Sequence, residues 1–351
     1  MLNFLFGLFS HDLAIDLGTA NTLVFVKDKG IAIREPSIVA RHRKTKQILA
    51  TGMEAKKMMG KTPGQIEAFR PLKDGVIADF DATEEMLHYF IAQVHESPYS
   101  FLPKIPRPKV IIGIPSGVTE VERRAVQYAA LSAGARVAYL IEEPMAAAIG
   151  AKLPIEEARG SMIVDIGGGT TEIAVISLGG IVINRSLRIA GDEFDEAIVT
   201  YVRMKHGLLL GLPSAEGAKI AIGSAYQSKD KEEKHTVVRG RDLENGLPKS
   251  VKLTSSGLRE AMSPVFNQII EAIDETVEEI PPELVGDVLE QGITLAGGGA
   301  LLPGIDKAIS EAAKMPVWVA PDPLTCVVRG AARLLDNRRL LEKVKVTGGL
   351  K

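Results

Sequence analysis

The chain has 351 residues, of which 46% are hydrophobic and 25% charged, and its formal net charge is −2 at pH 7. This length and composition predict a soluble globular protein of two or more domains, and the near-neutral charge argues against nucleic acid as a partner. A single cysteine, Cys326, excludes an intramolecular disulfide, and no cysteine–histidine cluster has the spacing of a zinc site.

The first nine residues are strongly apolar and carry no charged side chain. A signal peptide is disfavoured because there is no basic n-region and a core strand begins at about Leu13. Two alternatives remain, a short helix in the headgroup boundary of a membrane or a terminal segment packed on its own domain. We favour the membrane, because exposed large apolar side chains are costly in water. The expected membrane contacts are Met1, Leu2, Phe4, Leu5, Phe6, Leu8 and Phe9, with Phe101 and Leu102 of a proline-rich loop as a second contact.

The first predicted strand, Leu13 to Leu17, carries one carboxylate near its end, Asp16. The turn Gly18 to Asn21 follows, and a second apolar strand begins after it. The stretch from 37 to 70 is too short for a full domain and is predicted to be a small insertion.

A predicted strand, Arg136 to Ile141, leads into the sequence Glu142-Glu143-Pro144, which opens a helix. Proline is favourable in a first helical turn, so Glu143 is expected at a helix N-terminus beside the edge of the sheet where α/β folds bind ligands. Glu143 either only stabilises the helix dipole or orients a water molecule for reaction.

The acidic turn of the N-terminal strand recurs 149 residues later. Asp165 ends an apolar strand, and Gly167 to Thr170 form the turn that follows. Glycines let the backbone approach an anion closely, and a carboxylate beside them suits its metal ion. An ordinary hairpin would also contain a glycine turn. The repeat nevertheless predicts two similar domains that face each other and hold one nucleotide between them.

The remaining chain contains a second small insertion, 187 to 251, and a third glycine turn, Gly297 to Gly299. Within the insertion, Glu216 and Lys219 have helical i, i+3 spacing, which also suits a plain surface salt bridge. The third turn suits a purine, its ribose or a phosphate. A helix is predicted from about Leu302, a final helix over 325 to 341, and a mobile tail over 343 to 351.

The three turns resemble the two phosphate motifs and the adenosine motif of the actin-like ATPase superfamily, which includes actins, heat-shock chaperone ATPase domains and sugar kinases. Within it the chain is most similar to the bacterial actins that direct cell shape. The match runs from Asp12 to about Leu335 and includes Arg70–Asp79 (RPLKDGVIAD), Glu143–Gly150 (EPMAAAIG) and Ala190–Ala197 (AGDEFDEA).

This resemblance implies an α/β, actin-like fold with two ribonuclease H-like domains around a nucleotide cleft, each carrying a small inserted subdomain. The implied boundaries are 1–36 and 71–149 for subdomain IA, 37–70 for IB, 150–186 and 252–351 for IIA, and 187–251 for IIB.

The resemblance also implies ATP or ADP with Mg²⁺ as the bound group. Asp16 and Asp165 would hold the magnesium through water, and Glu143 would polarise the attacking water. The implied phosphate-binding residues are Gly18, Thr19, Ala20, Asn21, Gly167, Gly168, Gly169 and Thr170. The implied adenosine-binding residues are Glu216, Lys219, Gly297, Gly298 and Gly299. Gly217, Ala218 and Ala221 depart from the family pattern around Glu216.

A polymerising ATPase that directs cell shape and cell-wall elongation is therefore the expected function. Its implied place is the cytoplasm, on the inner face of the cell membrane. Its implied partners are further copies of itself, the membrane surface and the cell-wall elongation machinery of the inner membrane (MreC, MreD and RodZ), with no nucleic acid. The alternatives are a small-molecule kinase, for which we find no insertion that would build an acceptor pocket, and a chaperone-type ATPase, which would need a peptide-binding domain after the core.

Overall fold

A computed structural model describes residues 10–95, 107–227 and 232–346. The predicted membrane contacts, Met1 to Phe9 with Phe101 and Leu102, lie outside the described residues.

The described residues form eighteen strands and eleven α-helices. The strands are β1 Leu13–Leu17, β2 Asn21–Val26, β3 Gly30–Pro36, β4 Val39–His42, β5 Ile48–Thr51, β6 Ile66–Phe69, β7 Leu72–Lys73, β8 Val76–Ile77, β9 Lys109–Ile114, β10 Val137–Glu142, β11 Ser161–Ile166, β12 Thr171–Ser177, β13 Gly180–Leu187, β14 Leu208–Leu209, β15 His235–Asp242, β16 Pro248–Thr254, β17 Ile293–Ala296 and β18 Val317–Val319. The helices are α1 Met53–Met58, α2 Phe80–His95, α3 Glu120–Ser132, α4 Glu143–Gly150, α5 Gly191–His206, α6 Leu212–Ile222, α7 Ser255–Glu278, α8 Pro282–Gln291, α9 Ile305–Ala313, α10 Cys326–Asp336 and α11 Arg338–Val344.

Two five-stranded sheets with the same topology frame the molecule. Their orders are β3-β2-β1-β9-β10 and β13-β12-β11-β17-β18. In each sheet the first three strands are antiparallel and the last three are parallel. Residues in the central strands are buried on both faces, as the apolar runs in the sequence predict. The sheets therefore repeat each other strand for strand, in agreement with the repeated acidic turn.

Each half also carries a smaller three-stranded sheet. Strands β5-β4-β6 form one, between residues 39 and 69, and β14-β15-β16 form the other, between residues 208 and 254. Strand β16 continues to Thr254, three residues past the predicted end of the second insertion.

Helices α4 and α10 lie between the two large sheets and touch each other along their length. Their small residues permit this approach, since a Cβ built on Gly330 would overlap the carbonyl of Ala146, and one on Gly150 would overlap that of Cys326. Helix α4 comes from the first half of the chain but packs mainly on β11 and β12, whereas α10 comes from the second half and packs on β1, β2 and β9. Each sheet is thus covered by a helix of the other half.

Three local predictions about the C-terminal third are wrong. A 3₁₀ turn, Gly299–Leu301, precedes the helix expected from Leu302, which begins at Ile305. The predicted final helix is two helices, because the Asn337 side chain accepts from the Leu340 N–H and caps a new helix there. The first four residues of the predicted mobile tail are structured, because α11 runs to Val344 and Val346 donates its N–H to the carbonyl of Leu140; residues 347–351 lie outside the described residues.

Candidate functional site

A cavity of about 400 Å³ opens between the two halves, within the size range of ligand pockets. The two acidic turns meet there, since a Cβ built on Gly168 would lie 2.6 Å from the Cβ of Ala20. All the predicted catalytic, phosphate-binding and adenosine-binding residues line this cavity: Asp16, Gly18, Thr19, Ala20, Asn21, Glu143, Asp165, Gly167, Gly168, Gly169, Thr170, Glu216, Lys219, Gly297, Gly298 and Gly299. The structure brings them together, and their individual roles stay predictions.

Short hydrogen bonds hold both turns in shape. In the second turn, the Gly167 N–H donates to the Thr170 carbonyl at 2.8 Å. In the same turn, the Gly168 carbonyl accepts a hydrogen bond from the Asp192 N–H, which lies at the start of helix α5. In the first turn, the Ser37 hydroxyl donates to the Gly18 carbonyl at 2.6 Å. The backbone that faces the cavity is therefore fixed before any ligand binds.

Three carboxyl groups share the floor of the cavity. Burial raises the pKa of Asp16 to about 7. Burial also raises the pKa of Asp165 well above its usual range, and the charges of Asp16 and Glu172 raise it further. The pKa of Glu143 rises through burial and through the charges of Glu172, Asp16 and Asp165. Such a group of acids is unfavourable by itself and would be stabilised by a bound cation.

This donor set fits a magnesium ion held partly by other ligands. Asp16 and Asp165 are the next-to-last residues of β1 and β11, the corresponding central strands of the two sheets, and among the described residues no basic side chain pairs with either. In that same part of the chain, no three acidic, histidine or cysteine side chains are close enough to enclose a metal ion by themselves. Mg²⁺ usually binds one or two carboxylates and completes its shell with water and substrate phosphates. The two aspartates therefore suit an ion that arrives with a phosphate.

Glu143 begins helix α4, with proline in the first turn as predicted. The backbone of Gly113, at the end of β9, passes behind it, and a Cβ there would come within 3.4 Å of Glu143 Cγ. The Glu143 side chain therefore lines the cavity next to the end of β9.

The predicted adenosine pair does not form a salt bridge with itself. Lys219 instead contacts the Asp195 carboxylate at 2.9 Å and donates to the Gly191 carbonyl at 2.7 Å. Glu216 pairs with Lys56 of the first insertion at 3.2 Å. The alternative prediction, a surface salt bridge between Glu216 and Lys219, is therefore wrong. Helix α6 remains regular through Gly217.

Several residues that join the two halves were not predicted. The Arg70 guanidinium contacts both carboxylate oxygens of Asp192 at 2.5 Å. Within the first half, the Gly75 N–H donates to the Thr19 hydroxyl at 3.0 Å, and a Cβ built on Gly75 would lie 2.9 Å from Thr170 Cγ2 of the second half. The Arg70 and Asp192 side chains are a quarter exposed at the mouth of the cleft.

Glu172 is a further unpredicted carboxyl group, below the cavity floor and 1% exposed. It accepts hydrogen bonds from the hydroxyl and the backbone N–H of Ser116, in the first half, and from the Ser186 hydroxyl, in the second. A glutamate in a strand usually faces solvent, so the residue type did not indicate a buried site. The only available signal was its position in the hairpin, where Glu172 pairs with Asp165.

Comparison with known proteins agrees with this architecture. A sequence model of the family described as MreB/Mbl protein matches residues 10–343. The cell shape-determining protein MreB of Haemophilus influenzae is 54% identical over 334 residues, 94% of each chain. The structure of MreB5 of Spiroplasma citri bound to ADP has a TM-score of 0.87 and 38% identity, covering 94% of this chain and 97% of that one. A MamK double helical filament shares the fold, with a TM-score of 0.77 at 23% identity over 93% of this chain and 99% of that one.

These likenesses confirm the predicted actin-like α/β fold. No helix among residues 10–95, 107–227 and 232–346 combines the length and the apolar character needed to cross a bilayer.

Proposed function

Because the chain belongs to the MreB/Mbl protein family, we propose that it binds ATP in the cleft, hydrolyses it, and couples hydrolysis to the assembly of filaments. Its relatives are named cell shape-determining proteins, and with its actin-like fold it is a bacterial actin-like protein that determines cell shape. The observation that carries the enzymatic part of the proposal is the meeting of both acidic turns and the third glycine turn in one cavity.

Phosphoryl transfer to water needs positioning and charge stabilisation rather than covalent catalysis. The backbone N–H groups of the two turns would hold the phosphate oxygens, in the manner of other glycine-rich anion sites. Glu143, set in the cavity wall, would orient the attacking water molecule. Its raised pKa matters here, because a carboxylate with a raised pKa is a stronger base toward a bound water molecule.

The adenosine would lie between helix α6 and the third glycine turn. Glu216 and Lys219 offer polar groups on one side, and Gly297 to Gly299 offer a close backbone approach on the other. The apolar side chains Leu301, Leu302 and Leu324 complete this end of the cavity, which suits a flat aromatic base.

Asp16 and Asp165 would hold magnesium through water, and the ion would supply positive charge to the phosphate oxygens. ADP and the ATP analogue AMPPNP are bound in structures of the Spiroplasma citri relative, which supports a nucleotide at this place.

We also propose that the protein forms filaments, attaches to the membrane and binds further partner proteins. The four-subdomain division implied by the sequence suits filament formation, because a nucleotide held by both halves would set the angle between them. A filament contact spanning both halves would then favour one nucleotide state. MreC, MreD and RodZ, and a membrane contact through Met1–Phe9 with Phe101 and Leu102, remain proposals from the resemblance.

Glu143→Ala tests the catalytic role. We expect this variant to bind Mg·ATP with near-normal affinity but to lose most phosphate release, by about a hundredfold or more. Glu142→Ala is the matched control, because that neighbour lies outside the cavity lining. Near-normal turnover by Glu143→Ala would reject the role.

Pelleting assays test the filament and membrane parts. With Mg·ATP the protein should sediment as a polymer, and with anionic liposomes it should co-sediment with them. A deletion of residues 1–9 should abolish co-sedimentation with liposomes but retain polymerisation. A small-molecule kinase or a chaperone-type ATPase would form no ATP-dependent pellet.

A further inference from the structure

A second cavity, of about 340 Å³, lies away from the nucleotide cleft at the edge of the second large sheet. Leu153, Trp318 and Pro321 border it, together with the first residues of strands β11 and β17. Trp318 is 61% exposed, yet its indole N–H donates to the carbonyl of Gln291 at 3.1 Å. The aromatic ring is thus held in a defined position with most of its surface open.

Two residues that line this cavity each carry a buried polar atom with no hydrogen-bond partner among the described residues. Ser161 is 2% exposed, and its hydroxyl makes no hydrogen bond. The side-chain NH₂ of Gln291 is buried and equally unpaired. Both residues line the cavity. A buried polar group without a partner is unfavourable, so these two residues favour an occupant that supplies hydrogen-bonding groups.

The duplicated fold shows what covers the corresponding place in the first half. Because Asp16 corresponds to Asp165, the strand registers make Tyr139 of β10 the counterpart of Trp318 of β18. Tyr139 is partly buried, and it packs against the same apolar cluster as Val344 of helix α11. The Lys345 ammonium lies 5.7 Å from the centre of the Tyr139 ring. The short helix α11, through Leu340, Leu341 and Val344, and a lysine of the chain itself therefore cover this end of the first sheet.

Backbone pairing accompanies this cover in the first half. Lys345 forms an antiparallel bridge with Ile141, and the Val346 N–H donates to the Leu140 carbonyl at 3.0 Å. The counterpart of Leu140 is Val319. The Ala320 N–H already donates to Leu295 of β17, so the N–H and C=O of Val319 point to the opposite, outer edge. No residue in the described ranges pairs with that edge.

We propose that this cavity and the outer edge at Val319 form a docking site for a short peptide segment of a partner protein. The segment places an apolar side chain in the cavity, pairs its backbone with Val319, and sets a lysine or arginine over the Trp318 ring. A cation is favoured because the face of an indole attracts positive charge, and backbone addition to a free edge is a recurrent mode of peptide recognition. Pro321 lacks an N–H, so the added segment is short.

Trp318 is the only tryptophan of the chain, so its fluorescence reports on this site alone. The probe is a synthetic peptide of residues 338–346 (RRLLEKVKV), the segment that covers the counterpart in the first half. Titrated into nucleotide-free, unpolymerised full-length protein, it should shift the emission to shorter wavelength in a saturable manner. A peptide with Lys345→Glu should bind at least about threefold more weakly, and a scrambled peptide should give no saturable shift.

Two protein variants locate the binding. Val319→Pro removes the outward N–H without removing a bond to β17, and should weaken the peptide about tenfold. Gln291→Ala should weaken peptide binding severalfold. This variant replaces Val319→Pro as the test if thermal melting shows that Val319→Pro does not fold. No saturable shift, or equal shifts with all three peptides, would overturn the proposal. So would a shift caused by anionic vesicles but not by the peptide, or one that grows with protein concentration alone, since these would assign the site to a membrane or to a second copy.

Discussion

Asp16 is a buried carboxyl group whose charge has a direct cost for folding. Burial raises its pKa to about 7 from an ordinary value of 3.8. Between those two pH values the folded protein keeps a proton that the unfolded chain has lost, so this group lowers the stability of the folded state progressively as the pH rises from 4 to 7.

Asp16→Asn should therefore stabilise the nucleotide-free protein more at pH 8 than at pH 5. The gain at pH 8 should be on the order of 2–4 kcal/mol, set by the size of the pKa change. Urea denaturation of both proteins at the two pH values measures it. A difference in the free energy of unfolding that does not depend on pH would contradict the raised pKa. The same variant should bind Mg·ATP much more weakly, because it removes a carboxylate from the predicted magnesium site.

Among the individual site residues, those that belong to a repeated sequence pattern could be predicted. Asp16 and Asp165 were found because two acidic turns align, and the structure places both in the same cavity. Lys56, Arg70 and Asp192 belong to no repeat. Their partners lie more than a hundred residues away in the chain, and only the folding of the insertions over the cleft brings them together.

The pair of helices α4 and α10 depends on the absence of side chains where they cross. Gly330→Val should destabilise the protein by about 3 kcal/mol or more, because the new Cβ would overlap the Ala146 carbonyl and neither helix can move away from a packed core. Thermal denaturation would measure the loss. A stability within about 0.5 kcal/mol of the original would show that the helices are farther apart than described.

Gly217→Ala is the control for Gly330→Val, because it adds a side chain to a helical glycine that has free space around it. No atom lies within 4 Å of a Cβ built there, and the residue sits inside helix α6. We expect a gain of about 0.5–1 kcal/mol, from the helix propensity of alanine alone. The departure from the family pattern at this position would then cost stability without disturbing Glu216 or Lys219. A loss of stability on this substitution would contradict the regular helix.

Element types were easier to predict than element ends. The apolar runs identified both central strands, β1 and β11. The break at Asn337 was missed because the apolar pattern continues through it, and a cap by a single side chain leaves little trace in hydrophobic periodicity.

At the scale of the molecule, ion pairs close the mouth of the cleft. Lys56 and Glu216 join the two small insertions, and Arg70 and Asp192 join the halves beneath them. Both pairs are partly exposed, so each is worth about 1 kcal/mol or less. They can bias the closure of the cleft but cannot lock it.

Lys56→Ala should therefore release ADP up to about fivefold faster, the rate change that corresponds to 1 kcal/mol. Stopped-flow release of a fluorescent ADP analogue measures this rate. The matched control is Lys57→Ala, because Lys57 pairs with Glu54 on its own helix and touches nothing across the cleft. Equal rates for all three proteins would show that the insertions separate freely in solution.

The exchange of helices α4 and α10 between the sheets has a consequence for how the protein is made. The inner face of each lobe is covered by a helix from the other lobe, α10 on the first and α4 on the second. Neither lobe is therefore a self-sufficient folding unit, although the two have the same topology. While the chain is being synthesised, the inner face of the N-terminal lobe stays incompletely covered until residues Cys326–Asp336, which form α10, have emerged.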